Sequence, residues 1–306
     1  MTIPKCNLCP RHCAALRTTE TGNGLCQMGS TAVVARAALH FWEEPCISGT
    51  RGSGAVFFSG CNLHCVFCQN DQISRDNFGK RVSPAELSNI FRRLVEQGAE
   101  NINLVTATHF VPSVLQALQL YRPPVPVVYN CGGYESVETL RALQGLVDIY
   151  LPDFKYGLCD AAERYSAAPD YPETAKAALL EMHRQQPACT YDERGMMQNG
   201  MIVRHLILPG NTRSSIAALE WLAQALPYVP VSLMAQYLPC GRAAEFPEIN
   251  RRITQREYDK VLDKLFSLGL DGFVQERSSA KKNFIPSFNL EGVENCSGNS
   301  RFDALQ

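Results

Sequence analysis

The residues with the plainest chemistry are Cys61, Cys65 and Cys68, spaced C-x3-C-x2-C and preceded by Ser59-Gly60. Thiolates are the usual ligands of iron–sulfur clusters, normally four to a cube. Three from one loop leave one iron without a protein ligand, and an open coordination position is what separates a catalytic metal site from a closed structural one. Positions i, i+4 and i+7 would also suit one buried helix face, and cysteine is often buried. Three cysteines in eight residues, launched from an apolar strand, nevertheless read as a ligand set rather than a core stripe.

A second group, Cys6-x2-Cys9-x3-Cys13-x12-Cys26, supplies four thiolates with turn glycines between them. Four thiolates make a closed site for zinc or for a fully ligated iron–sulfur cluster, and ligand softness does not choose between the two. The alternative is reduced, solvent-facing cysteines, which oxidise readily without a metal. Cys46, Cys131, Cys159, Cys189, Cys240 and Cys296 are scattered and take the default reading of single buried residues.

The chain has 306 residues, is 45% apolar and carries a formal charge of −1. That length suits one α/β barrel with an appendage, and the apolar content fills a sizeable core. The charge balance gives no argument for nucleic acid or a membrane surface as partner. Met1-Thr2-Ile3-Pro4-Lys5-Cys6 has no signal-peptide core, and no stretch is long and apolar enough to span a bilayer. A soluble, cytoplasmic protein is expected. In a reducing compartment, thirteen cysteines point to metal rather than to disulfides.

The elements that must position these groups are legible as alternation. Apolar runs at Ala55–Phe58, Ile102–Val105, Val125–Tyr129, Val147–Leu151, Ile202–Leu208 and Val231–Met234, with a weaker one at Gly272–Gln275, alternate with helical patterns. This is the pattern of parallel strands in βα units. Ser83-Pro84-Ala85-Glu86 is a capping box, followed by Leu87, Ile90 and Leu94 at helical spacing and by Gly98 as a stop. Helices are also expected over 135–144, 173–185, 214–226 and 254–268. The fold class predicted is α/β, a partial or near-complete (β/α) TIM-like barrel. The expected domains are an N-terminal cysteine-rich metal-binding segment with its lead-in strand (1–50), the barrel (51–280) and a tail (281–306).

Cys61-x3-Cys65-x-Phe67-Cys68, with an aromatic before the last cysteine, resembles the signature of the radical S-adenosylmethionine (SAM) superfamily. Further stretches, including Glu43-Glu44-Pro45-Cys46, Asn101–Phe110, Tyr150–Tyr156 and Val203–Gly210, resemble the relatives of pyruvate formate-lyase activating enzyme, in the subgroup with an added N-terminal cysteine cluster. The resemblance implies a [4Fe–4S] cluster and SAM as cofactors, with SAM chelating the open iron. Reductive cleavage of SAM then gives methionine and a 5′-deoxyadenosyl radical that abstracts hydrogen from substrate. It further implies a reduced flavodoxin or ferredoxin as electron donor.

By the same resemblance, Phe67 packs near the adenine. Where the family often carries Gly-Gly-Glu for the SAM amino group, this chain has Val105-Thr106-Ala107-Thr108-His109, so Thr106 and Thr108, with His109 beside them, are the candidates. Asn130 borders Gly132-Gly133, read either as a ligand-facing loop or as a plain turn. Asp153 is a candidate for a ribose hydroxyl and Lys155 for the SAM carboxylate; the alternative is an exposed ion pair. Arg204, costly in a strand unless paired, reads as a carboxylate or substrate partner or as a structural ion pair. Gln236, with Tyr237, falls where relatives approach the ribose. Three functions stay open: activation of a glycyl-radical protein, radical chemistry on a small molecule or peptide, and a non-catalytic iron–sulfur or zinc module.

Overall fold

The structure, a computed structural model, describes residues 5–275 and 286–294. The expected barrel end at 280, most of the expected tail and Cys296 lie outside the described residues. In chain order the elements are β1 (Ala32–His40), α1 (Pro45–Ser48), β2 (Ser53–Phe58), α2 (Asp71–Ser74), β3 (Lys80–Val82), α3 (Pro84–Glu96), β4 (Ile102–Val105), α4 (Val111–Leu120), β5 (Val127–Cys131), α5 (Val137–Ala142) and β6 (Ile149–Pro152). They continue with α6 (Cys159–Ser166), α7 (Tyr171–Gln185), β7 (Thr190–Tyr191), β8 (Met197–Met201), β9 (Val203–Leu206), α8 (Thr212–Ala225), β10 (Val231–Met234), α9 (Gln255–Ser267) and β11 (Gly272–Val274).

The strands β2, β4, β5 and β6 pair in parallel, and β9, β10 and β11 form a second parallel set. A bridge between Asp153 and Arg204 joins the two. β1 lies antiparallel on the outer side of β2 and ends the arc there with β3. The result is an α/β partial barrel that does not close: among the described residues β11 pairs only with β10. Among the described residues no helix is long and apolar enough to cross a membrane.

Period-two alternation along the parallel strands decides what faces inward. Val127, Tyr129 and Tyr150 point outward into the helical layer and join the main core. Val128, Ile149, Leu151 and Ile202 point inward, where Cys46 and Ile47 of α1 fill the barrel beneath them. Two residues further along each strand stand Asn130, Asp153 and Arg204. The inner face thus changes from an apolar floor to a polar layer at the C-terminal strand ends, where barrels of this kind carry their chemistry.

Candidate active site

β2 passes the chain to Ser59 and to Gly60, whose φ is 79°. A Cβ at Gly60 would lie 2.6 Å from Met28 Cγ and 3.1 Å from His109 Nε2, so this turn requires glycine. The turn carries Cys61, Cys65 and Cys68 onto one cavity of about 210 Å³ at the strand ends. Each sulfur has a donor: Leu63 N–H to Cys61 (3.3 Å), Ser166 Oγ to Cys65 (3.0 Å) and Ser74 Oγ to Cys68 (3.5 Å). Burial raises the Cys61 thiol and pushes that of Cys68 up to about 12, and the neighbouring thiols add to both rises. Buried thiols that oppose one another's ionisation become thiolates only with a cationic partner, and iron is such a partner. In donor chemistry and in convergence on one cavity, the three residues fit three corners of a [4Fe–4S] cube.

Most of the other expected site residues line the same cavity: Phe67, Thr106, Asn130, Asp153, Lys155, Arg204 and Gln236. Asp153 accepts from Lys155 Nζ at 2.5 Å and from Arg204 Nε at 3.1 Å. Arg204 also reaches Glu43 (2.9 Å) and Asn130 Oδ1 (2.5 Å), and Asn130 Nδ2 donates to the other Glu43 oxygen at 3.2 Å. Burial alone would raise Asp153, but the Lys155 and Arg204 charges hold it below the usual carboxylate range. Burial works against the Lys155 ammonium, yet Asp153 and Cys65 more than offset it and its pKa rises. Lys155 therefore stays cationic beside the cysteines. Phe67 is gripped edge-to-face by Tyr156, Tyr165 and Tyr237, with centroids 5.9–6.3 Å apart. Gly133 takes φ 76°, and a Cβ there would sit 2.1 Å from Asp153 O, so the glycine lets the loop after β5 close against the polar layer. Cys131 lines the cavity, whereas Cys46 lies in the apolar floor.

Thr108 is not brought to this cavity. A 3-10 turn at Thr108–Phe110 carries its hydroxyl away, to donate to Glu135 at 2.7 Å in the interior. His109 turns aside as well: Nε2 meets Ser59 O at 2.7 Å, and burial lowers the ring to about 4, so it is neutral. Only Thr106, held at φ 62° by its N–H to Asn130 O, remains at the position expected to meet the SAM amino group. Glu135 itself is buried, accepts from Tyr129 OH at 3.0 Å, and is pushed by burial from 4.5 up to about 7. Between those values the unfolded chain ionises while the folded chain keeps its proton, so stability falls as pH rises from 4.5 to 7. Glu135→Gln is expected to remove this slope, gaining about 2–3 kcal/mol on the wild type between pH 5 and 7.5 in urea unfolding.

The four N-terminal cysteines line a second, smaller cavity, shared with Asn62 and His109. Burial raises Cys9 to about 12 and raises Cys26; Cys9 also senses Cys26 and Cys13, while Cys26 senses Cys6 and Cys13. Arg17 Nη1 lies 3.8 Å from Cys6 Sγ. Arg11, between Cys9 and Cys13, grips the active-site loop: it donates to the carbonyls of Asn62 (2.7 Å), Leu63 (3.3 Å), Ser166 (2.7 Å) and Ala167 (2.5 Å), with its guanidinium over Tyr134. Arg11→Ala is expected to cost about 1–3 kcal/mol of stability and to lower iron loading at Cys61–Cys68. Arg11→Lys should recover little, because a point charge cannot serve four carbonyls as a planar fork does. Thermal unfolding and iron per chain measure both effects.

Sequence reasoning missed Glu43, Ser74, Ser166 and Arg11. Glu43 lay in a stretch noted for its resemblance, but nothing in local spacing ties it to Arg204, 161 residues away.

The radical SAM superfamily profile matches residues 55–222. An uncharacterized protein of Methanocaldococcus jannaschii is 31% identical over 276 residues, which cover 87% of this chain and 75% of that one. The crystal structure of methylornithine synthase (PylB) is similar at 17% identity and a TM-score of 0.47, over 78% of this chain and 67% of that one. The chain belongs to the radical SAM superfamily.

Proposed function

We propose that the protein is a radical SAM enzyme whose active site is the cavity at the C-terminal strand ends, with Cys61, Cys65 and Cys68 holding a [4Fe–4S] cluster. The observation that carries the reading is the convergence of three thiols and the Asp153–Lys155–Arg204 charges on one cavity. When bound, the cluster supplies one electron to SAM, which yields methionine and the 5′-deoxyadenosyl radical.

The protein's own groups orient the cosubstrate. Lys155, cationic and beside the cysteines, offers a partner for the SAM carboxylate. Asp153, kept ionised, is an acceptor for ribose hydroxyls. Phe67, fixed by three aromatic rings, offers a face for the adenine. Thr106, Asn130 and Gln236 supply hydrogen-bonding groups, and Val105, Leu206, Met234 and Leu238 provide an apolar wall that excludes water. The N-terminal cysteines hold a second metal group. A flavodoxin or ferredoxin serves as reductant, and the cytoplasm is the compartment.

The likeness to the activating enzymes makes a glycyl-radical protein the first substrate to try, with a small molecule or peptide as the second. Anaerobic reconstitution with iron and sulfide, followed by dithionite and SAM, is expected to give 5′-deoxyadenosine and methionine in equal amounts. Neither product from a fully loaded protein would overturn the catalytic reading.

A further inference from the structure

The side of the barrel that β1 and β11 leave open is covered by the chain's own C-terminal part. β3 pairs with the outer edge of β1 only at Ala32–Val34. Beyond them, residues 287–294 lie on that edge as a strap: Ala37 N–H donates to Glu291 O at 2.8 Å, and Leu290 N–H donates to Ala35 O at 3.1 Å. Arg36 pairs with the Glu291 carboxylate at 2.8 Å and donates to Ser287 O at 3.0 Å. Lys80 and Arg93 donate to the carbonyls of Glu294 (3.2 Å) and Gly292 (2.7 Å). Gly292 has φ 72°, and a Cβ there would lie 1.9 Å from Ala37 O, so the strap presses on β1 as only glycine allows.

The strap also reaches the wall of the active site. Phe288 is 9% exposed, stands edge-to-face on Phe57 with centroids 5.6 Å apart, and shares an apolar cluster with Ile73 and Val105. Ile73 and Val105 line the cavity of Cys61–Cys68, so Phe288 backs that wall from the open side of the barrel. The loop after β10 narrows the cavity as well. There Arg242 N–H donates to Val66 O at 2.7 Å, and the Cβ position of Gly241 lies 3.1 Å from Val66 O and 3.2 Å from Cys68 O.

An extended segment of another protein docks by pairing with a bare strand edge and placing alternate side chains in pockets. On β1 that edge is already paired, and the space beside it holds Phe288. We propose that Phe288, seated by the strap, is a positioning residue for substrate specificity: it holds Ile73 and Val105 closed across the barrel's side, so the substrate is a small molecule admitted at the strand ends rather than a loop of a folded protein. This rests on the active-site reading above and names the substrate class for it.

Two measurements on the full chain test this. In the protein as purified, amide exchange at Ala37 and Leu290 should be at least about 100-fold slower than in a free chain. Exchange at the free-chain rate means that the side stands open and overturns the proposal. The anaerobically loaded protein is then given SAM, dithionite and one of two probes deuterated at the glycine α-carbon. One is N-acetylglycinamide; the other is a blocked pentapeptide with alanines on both sides of the glycine. The 5′-deoxyadenosyl radical breaks the α C–D bond and forms a C–D bond at C5′, and the carbon radical left on the probe takes an electron from dithionite and a proton from water. The wild type is expected to place at least about tenfold more deuterium in 5′-deoxyadenosine from the amide than from the peptide. Phe288→Ala and Gly292→Ala, of which the second lifts the strap without altering the cavity wall, should bring the two probes to within about twofold, with total 5′-deoxyadenosine unchanged within about twofold. Phe288→Leu should keep the wild-type ratio. As much deuterium from the peptide as from the amide in the wild type, or none from the amide, overturns the proposal, and so does a ratio unmoved in both alanine variants. Where a variant does not fold, the wild-type ratio and the exchange rates decide. No 5′-deoxyadenosine from any sample sinks the active-site reading alone, and exchange at Ala37 and Leu290 still decides whether the side is closed.

Discussion

Cys65→Ala is expected to take 5′-deoxyadenosine formation below detection and to remove about four irons per chain, whereas Ser166→Ala, which removes only the donor to that sulfur, should weaken cluster retention roughly 10–100-fold. The contrast follows from position. Cys65 is the middle sulfur of the three; Cys61 and Cys68 each feel its charge, and it contributes more than Cys68 to keeping Lys155 protonated. Its loss leaves two sulfurs for a group that needs three, and it weakens the hold on the cation offered to SAM. Ser166 sits at the end of α6, and its hydroxyl meets both Cys65 Sγ (3.0 Å) and Tyr156 OH (2.7 Å). Removing it leaves the ligand in place with one hydrogen bond fewer, which should also shift the reduction potential. Iron content, cleavage products and a potentiometric titration separate the two cases. Equal behaviour of the two variants would mean that Cys65 is not a ligand.

The cysteine loop was legible because all its chemistry lies within eight residues, with a buried strand directly before it. The parallel strands were legible as continuous apolar runs, α3 by its capping box at Ser83, and α9 as a helix expected over 254–268, whose capping box at Thr254 the structure adds. Two helices were missed: α4, which starts at Val111-Pro112, and α6, which starts at Cys159, neither with a side-chain cap. The β7–β8 hairpin carries Gln198, Asn199 and Gly200 rather than an apolar run. The run 202–208 was read as one strand, but pairing with β10 confines it to Val203–Leu206, after Ile202 has bonded back to Tyr150. Thr108 failed for a related reason. Its position just past a strand end suggests a ligand contact, but the backbone turns there and delivers the hydroxyl to Glu135, a partner 27 residues away.

Glu43 is the larger omission, and it makes Arg204→Leu the substitution with the greatest expected effect on stability. The Arg204 side chain is only 13% exposed, Glu43 9% and Asp153 16%, and the one guanidinium serves both carboxylates and Asn130. Its replacement by leucine leaves Glu43 with two amide donors and no cation, and Asp153 with Lys155 alone. Breaking a buried pair in this way typically costs about 3–5 kcal/mol, because a charge is stranded in low dielectric. The loss should depend on pH with a definite sign. Asp153, depressed in the wild type, contributes stability above its unfolded pKa that is lost as pH falls through its folded value. Glu44 is already raised by burial and is restrained by Arg204, so it rises further in the variant. A carboxyl raised in the folded state destabilises more as pH climbs and less as pH falls. Between pH 7.5 and 5 Asp153 stays ionised, so its contribution to the wild type holds across this range. The variant's further-raised Glu44 takes up its proton and recovers stability beyond what Glu135 gives to both, so the two unfolding curves should lie closer at pH 5 than at pH 7.5. A gap of equal size at both pH values would mean that packing around the guanidinium stem, and not stranded carboxylates, sets the cost. Arg204→Lys keeps the charge but cannot fork to Glu43, Asp153 and Asn130 together, so it should fall between the two in stability.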